Sequence, residues 1–163
     1  APQAVEVQLV SDIFASGLST IQAVVIGGFG TYEYSLDQIN WQISPIFANL
    51  ENDIYTIYAR DINYCGEKNS NPITTISYPN YFTPNGDGYN DNWSIKGLTP
   101  EFEAKIYIFD RYGKLLKQID AYGNGWDGKF NGTEVPSTDY WFKIEYKEDG
   151  VQKEFKSHFS LKR

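Results

Sequence analysis

Apolar and polar residues alternate along this chain in short runs whose period is two rather than 3.6, the pattern of a strand half-buried on one face. Val5 to Val10 (VEVQLV) alternates, Leu18 to Ile26 (LSTIQAVVI) is a longer β-rich run, and Thr31 to Leu36 (TYEYSL) follows Gly27, Gly28 and Gly30. Trp41 to Ile43, Ile46 to Leu50 and Asp53 to Asp61 (DIYTIYARD) continue the series. In the last of these, Ile54, Thr56 and Tyr58 oppose Tyr55, Ile57 and Ala59 across the pleat. A repeat of about ten residues between runs predicts short antiparallel strands packed as a sandwich.

Gly66 to Pro72 (GEKNSNP) is polar and rich in turn formers, which makes it the predicted linker. Beyond it the alternation returns in Ile73 to Ser77, pauses for a Pro/Gly/Asn/Asp loop from Pro79 to Asn92, and resumes at Trp93 to Ile95. Ala104 to Phe109, Leu115 to Ile119, Tyr140 to Tyr146 and Val151 to Leu161 complete the predicted strands. Arg111 to Lys114 (RYGK) and Glu148 to Gly150 (EDG) place glycine where a hairpin turn needs a positive φ. No stretch has the spacing of a long amphipathic helix. The fold class is therefore all-β, as two tandem Ig-like antiparallel β-sandwich domains over residues 1–71 and 72–163, with one mixed sandwich as the competing arrangement. In the last run Phe155, Ser157, Phe159 and Leu161 share one face, while Lys156, His158, Ser160 and Lys162 share the other. Chain ends fray unless a sheet holds them, so this segment is expected to be a core or edge strand, or something a partner reads.

Composition narrows the function. At 163 residues and 41% hydrophobic the chain can bury a real core. The 14 Lys and Arg against 21 Asp and Glu give a net charge of −7, so the positive field that nucleic acid requires is missing. One cysteine, Cys65, and one histidine, His158, exclude an internal disulfide and any site built on Cys or His ligands. No apolar run approaches the roughly 20 residues of a membrane-spanning helix. Methionine is absent, and the opening APQAVEVQLV lacks the basic start and apolar run of a signal peptide. The expectation is a processed or excised piece; if its parent is exported, the export signal at the front has been removed.

Two loops are dense enough to carry chemistry. In Thr83 to Asn92 (TPNGDGYNDN), Asn85 and Asp87 stand two apart, as the oxygen ligands of a calcium loop do, and Gly88 permits a reversal that lets Tyr89 offer its carbonyl and Asn90 or Asp91 a side chain. Oxygen donors without Cys or His point to calcium rather than zinc. The twelfth position counted from Asn85 is Lys96, so the loop is no helix-flanked calcium hand, and consecutive Asx and glycine turns explain the same residues. Calcium held by Asn85, Asp87, Tyr89 and Asp91 and a metal-free turn both stay open. In Gly123 to Gly132 (GNGWDGKFNG), the glycines surround Trp126, with Asp127 placed to anchor a turn. Trp126 or Trp141 could stack on a sugar ring if exposed, core packing being the ordinary alternative.

Enzyme chemistry finds no support: no G-x-S-x-G elbow occurs, so Ser157 and Ser160 beside His158 form no nucleophile. Asp110, Asp120, Asp127 and Asp139 sit at turn positions, and a buried or incidental thiol is the default for Cys65. No residue is assigned a catalytic role.

Residues 76–163 nevertheless carry a specific set of motifs. They are Tyr78-Pro79-Asn80-Tyr81-Phe82-Thr83-Pro84-Asn85-Gly86-Asp87-Gly88-Tyr89-Asn90-Asp91, then Ile108-Phe109-Asp110-Arg111-Tyr112-Gly113, then Gly125-Trp126-Asp127-Gly128 with Asn131-Gly132. Val135-Pro136 with Asp139-Tyr140-Trp141, and the closing Phe159-Ser160-Leu161-Lys162-Arg163, follow in order. This segment resembles the type B C-terminal sorting domain of the type IX secretion system of Bacteroidetes, also called the gliding-motility-associated C-terminal domain. The resemblance implies a non-catalytic β-sandwich that directs upstream cargo of the same chain from the periplasm across the outer membrane. The partners it implies are the translocon and its shuttle components, and the cargo ends at the cell surface or secreted. It assigns Pro84, Gly86, Gly88, Gly113, Trp126, Asp127 and Gly128 to the structural motif and Phe159, Leu161, Lys162 and Arg163 to translocon recognition.

The first half resembles the Ig-like or cadherin-like repeats that precede such domains in adhesin-like surface proteins. The signs are Gly27-Gly28 with Gly30, Tyr32 and Tyr34-Ser35-Leu36-Asp37, then Phe47 with Leu50, Tyr55-Thr56 and Arg60-Asp61 ahead of Cys65-Gly66; Asp53-Ile54 replaces the usual glycine before the Tyr-Thr pair. A spacer in a stalk is what this implies. The alternative function is an adhesin fragment that binds a surface glycan or protein.

Overall fold

Strand alternation in the first half resolves into two small sheets with a shared apolar interior. A computed structural model describes residues 1–163, which divide into two compact units, Ala1–Ser77 and Tyr78–Arg163. In the first unit the strands are β1 (Ala4–Leu9), β2 (Phe14–Ala15), β3 (Ser19–Ile26), β4 (Tyr32–Ser35), β5 (Ile46–Leu50), β6 (Ile54–Tyr55), β7 (Tyr58–Asp61), β8 (Glu67–Asn69), β9 (Ile73–Thr74) and β10 (Ile76–Ser77). One sheet has the order β1-β3-β5 and another β4-β7-β8; β6 pairs with β9, and β10 with β2. Inward residues Val5, Ile21 and Ala23 of the first sheet form one buried cluster with Ala59 of β7 and its neighbour Ile57. β-branched and small side chains at every second position are what close sheet packing requires.

The second unit is built on a larger sheet. Its strands are β11 (Tyr81–Phe82), β12 (Lys105–Phe109), β13 (Leu115–Ile119), β14 (Lys129–Phe130), β15 (Thr133–Glu134), β16 (Asp139–Glu148) and β17 (Val151–Leu161), with a single 3-10 turn at Pro100–Phe102. Five strands form one sheet in the order β11-β17-β16-β12-β13, while β14 and β15 make a separate ribbon. The β16–β17 hairpin turns through Asp149 and Gly150 at φ 51° and 76°, and the β14–β15 ribbon through Asn131 and Gly132 at 52° and 80°. Consecutive positive φ values match the right-handed twist of the flanking strands, which is why Asp-Gly and Asn-Gly occupy them. Ile106, Ile108, Tyr140, Phe142, Ile144 and Tyr146 line the inner face of the large sheet. The fold is thus all-β, with several small sheets consistent with sandwich architecture, and no helix is long and apolar enough to cross a membrane.

The structure corrects several local expectations. Gly66 to Pro72, predicted as a linker, contains β8, which pairs Glu67, Lys68 and Asn69 with Arg60, Ala59 and Tyr58 of β7. Its side chains are all exposed, and a short charged edge strand of that kind has no apolar period to reveal it. The run Asp53 to Asp61 is not one strand. It leaves β9 after Tyr55 and joins β4 and β8 from Tyr58, and Ser70 spans the break by donating N–H to the Ile57 carbonyl at 2.8 Å and accepting the Ile57 N–H at 3.0 Å. Pairing is also not antiparallel throughout: β2–β10 and β11–β17 are parallel two-residue contacts between segments far apart in sequence. Trp41 to Ile43 and Trp93 to Ile95 contribute only isolated bridges, Gln42 to Tyr34 and Trp93 to Trp126.

An acid-sensitive turn follows β4. Asp37 Oδ1 accepts the N–H groups of Ile39 and Asn40 at 2.8 and 2.7 Å and the Ser35 hydroxyl at 2.9 Å, while Oδ2 accepts from Asn40 Nδ2 at 2.7 Å. Hydrogen bonds from the Asn40 backbone and side chain, then from Ile39 and Ser35, hold the carboxyl well below the usual carboxylate range. A depressed folded pKa contributes stability that is complete above the unfolded value, about 4, and is lost as pH falls below it. Asp37→Ala should therefore melt below the parent chain at neutral pH, and the gap between the two should narrow progressively on acidification below that value. Thermal melts across that range check it, and a gap independent of pH contradicts it.

Candidate functional site

The motif residues of the second unit gather where β17 ends. Alternation along β17 turns Phe159 and Leu161 inward, where each is 1% exposed. The Phe159 ring stacks on Trp93 with centroids 4.1 Å apart and planes 12° from parallel, and it meets Trp126 edge-on at 6.1 Å and Phe82 at 5.9 Å. The two tryptophans are themselves bridged, each N–H donating to the other's carbonyl at 2.9 and 2.8 Å. Their indole N–H groups are satisfied by carbonyls, Trp93 Nε1 donating to Pro79 and Trp126 Nε1 to Lys129, both at 2.9 Å. Buried indoles need such partners, so the turn residues around them are placed by hydrogen bonding as well as by packing.

Glycine is required at two points of this cluster. Gly125 has φ 86°, and a methyl there would overlap the Trp93 carbonyl of the bridge. Gly128 has φ 79°, and a methyl would press on Leu161 Cδ1 at 3.0 Å and on Arg163 Nη2 and Pro84 Cγ, both at 3.3 Å. Pro84, Gly128 and the Leu161–Arg163 tail, widely separated in sequence, therefore converge on one spot. Arg163 fastens it, its guanidinium donating to the carbonyls of Gly128 at 3.0 Å, Val135 at 3.2 Å and Pro84 at 3.4 Å. Its Nη1 also lies 3.5 Å from Glu134 Oε1. Lys162, by contrast, is exposed, with its ammonium 4.7 Å from the Tyr81 ring centroid. Of the four residues assigned to recognition, then, Phe159 and Leu161 lie in the core, Arg163 is tied to loop carbonyls and Lys162 is open.

The Asn85–Asp91 loop closes on a single carboxylate. Asp91 Oδ1 accepts the N–H groups of Asn85 and Gly86 at 3.1 and 2.9 Å, and Oδ2 accepts that of Gly88 at 2.8 Å. Asn85 and Asp87 each accept the N–H two residues on, from Asp87 at 3.1 Å and Tyr89 at 2.8 Å, which are Asx turns. Backbone N–H groups thus supply the positive partner of Asp91, and no group of three or more His, Cys, Asp and Glu side chains converges anywhere in the chain. Gly113 stands apart in the β12–β13 turn, where Asp110 Oδ1 accepts the Tyr112 and Lys114 N–H groups, both at 2.9 Å. Asp120 and Asp127 make the same kind of turn bond to Tyr122 and Lys129. Asp139 Oδ1 instead accepts the Ser160 hydroxyl at 2.5 Å. These carboxylates are occupied with turns and strand ends.

The motifs name the glycines, Trp126 and the tail, but not the hub role of Asp91 or the seating of Trp93 against Phe159. The first shows only in the hydrogen-bond pattern; the second follows from a bridge between loops. Tyr140, of the Asp139-Tyr140-Trp141 motif, also anchors a turn. Its hydroxyl donates to the Pro136 carbonyl at 2.7 Å, and burial pushes its pKa up.

Asp91→Ala removes the acceptor for the three loop N–H groups. Hydrogen bonds to a charged group suggest a cost of about 1–3 kcal/mol, measurable by denaturant unfolding. Gly128→Ala, strained and crowded together, should cost about 1–3 kcal/mol, while alanine at Gly132, which faces open space, should cost less. Equal losses at the two glycines would contradict the role given to the Pro84–Leu161–Arg163 contact.

At 26% identity over 125 residues the chain is similar to endo-1,4-beta-xylanase 2 of Humicola insolens, covering 72% of this chain and 51% of that protein. The chain thus spans about half the length of that curated relative. Among solved structures, the BSP domain of a biofilm associated protein aligns with 96% of this chain and 29% of its own, at 11% identity and a TM-score of 0.33. The CHU_C Type IX secretion signal domain family matches residues 76–161. That match takes in the Phe82–Trp93–Trp126–Phe159 cluster, the Asp91 loop and both required glycines. The chain belongs to the CHU_C type IX secretion signal domain family, whose members are non-catalytic signals for cargo of that secretion system.

Proposed function

We propose that the second unit is read by the type IX translocon and its shuttle components, and that it carries attached cargo through the periplasm to the cell surface or the medium. The observation that carries this is the family match over residues 76–161. The first unit serves as an Ig-like spacer between cargo and signal. Its two facing three-stranded sheets and small apolar core support that reading.

The burial of Phe159 and Leu161 divides the labour within the tail. Those two hold the domain together, and a partner meeting the folded unit reads the exposed Lys162 and the rim beside Arg163. A tail deletion would then abolish export chiefly by unfolding the signal, whereas a charge change at Lys162 would act on recognition alone. The Asn85–Asp91 loop folds on its own hydrogen bonds in this reading, so neither calcium nor chelator should move the melting temperature; a calcium-dependent rise would assign that loop a metal.

The test is export of a periplasm-directed fluorescent protein fused ahead of the full chain, in a host with an active type IX system. The parent fusion should reach the surface or the medium, and removal of Phe159 to Arg163 should leave the reporter in the periplasm. Lys162→Glu should melt like the parent yet export less. Retention of the folded parent fusion would overturn the assignment of this segment as a sufficient signal, and full export of Lys162→Glu would overturn the role given to Lys162.

A further inference from the structure

Trp126 and Trp141 were both candidates for stacking on a sugar, and the structure separates them. Trp126 is 1% exposed and locked among aromatic rings, whereas Trp141 is 40% exposed on the outer face of the large sheet. β16 is an interior strand, with β12 on one side and β17 on the other. Register therefore places Phe109 and His158 directly beside Trp141, forming one row of rings. The next row sets Tyr107, Lys143 and Lys156 side by side, with the Lys143 ammonium 5.0 Å from the Tyr107 ring centroid. Like charges directly opposite on neighbouring strands destabilise a sheet, so the Lys143–Lys156 pair needs compensation. It is partly given by Glu145 and Glu154, each 3.2 Å from its lysine and one row further from Trp141.

A depression of about 390 Å³ opens here, lined by Phe109, Asp110, Arg111, Trp141, Lys143 and Lys156 among others. That volume falls within the ordinary range of small-ligand clefts, ~300–1,000 Å³. Arg111 enters from the β12–β13 turn with its Nη2 donating to the Tyr112 hydroxyl at 2.7 Å, and no carboxylate pairs with it. The neighbouring Asp110 carboxylate is already engaged by the turn N–H groups. Aromatic floor and cationic wall thus coincide on a chain whose net charge is −7.

We propose that this face binds an acidic oligosaccharide, one whose pyranose rings carry carboxylates. The C–H face of such a ring packs on Trp141 and Phe109, and its carboxylate pairs with Arg111, whose planar fork suits carboxylate geometry. Lys143 and Lys156 take the charge of the adjoining sugar. A neutral glycan would leave Arg111 without a carboxylate partner, and an acidic peptide would leave the aromatic floor uncovered, so charge and shape together select the acidic sugar. This site does not rest on the export reading, and the tail cluster is not part of it.

Titrating the full chain with oligogalacturonate, followed by calorimetry and amide NMR, tests the proposal. Binding is expected with shifts confined to β12, β16, β17 and the turn at Arg111. It should fall about tenfold or more in Trp141→Ala and in Arg111→Gln, recover in Trp141→Phe, and weaken steeply with added salt. Matched melting temperatures would show that the variants are folded; should Trp141→Ala not fold, Arg111→Gln and the NMR shifts carry the decision. No binding, equal binding of a neutral oligosaccharide, equal binding of oligoglutamate, or shifts elsewhere would each overturn it.

Discussion

The contact on which the second unit depends is the stacking of Phe159 on Trp93. It joins the end of β17 to a loop residue nearly seventy positions earlier, and it does so at 4.1 Å with nearly parallel rings. Phe142 meets Trp93 from the neighbouring strand at 4.8 Å, and Tyr140 meets Trp126 edge-on at 5.2 Å. Large rings buried together contribute most of what a small domain can gain from its core. Without β17 the sheet would lose the strand that joins β11 to β16, and the tryptophan bridge its backing.

The loops follow from that constraint. Trp93 and Trp126 can be buried only if their indole N–H groups find carbonyls; Pro79 supplies one and Lys129 the other, in a turn held by the Asp127 side chain, while Gly125 makes room for the Trp93 carbonyl. The long loop before Trp93 in turn closes on Asp91, and Pro84 at its start lies beside Gly128. Apart from the β12–β13 turn at Gly113, the dispersed motifs are thus parts of one structure, a sealed aromatic core with a hydrogen-bonded rim. Its exposed surfaces, at Lys162 and on the outer sheet face, are free to serve partners.

Strands with strict alternation were legible in the sequence. Val151 to Leu161 falls as predicted, because Phe155, Ser157, Phe159 and Leu161 turn to one face, and Asp149-Gly150 marks its hairpin through the φ it requires. β8 was not legible, since Glu67, Lys68 and Asn69 bury nothing and are held by backbone pairing alone. Nor was the break within Asp53 to Asp61, where a continuous apolar period conceals a change of sheet. The site was legible as a set of motifs and not as a geometry. Alternation showed that Phe159 and Leu161 share a face, but only the packing shows that this face is the core.

If β17 is integral to the unit, its final amides are as protected as the centre of the sheet. Ser160, Leu161 and Lys162 donate to the carbonyls of Asn80, Thr138 and Phe82 at 2.8, 2.9 and 3.0 Å. Amide hydrogen exchange on the full chain measures this directly. Exchange of these amides as slow as that of Ile144, reporting opening of the whole unit, is what the account predicts. Fast exchange at Ser160 to Lys162 beside a slow Ile144 would show a tail that detaches from an intact domain, and would contradict it.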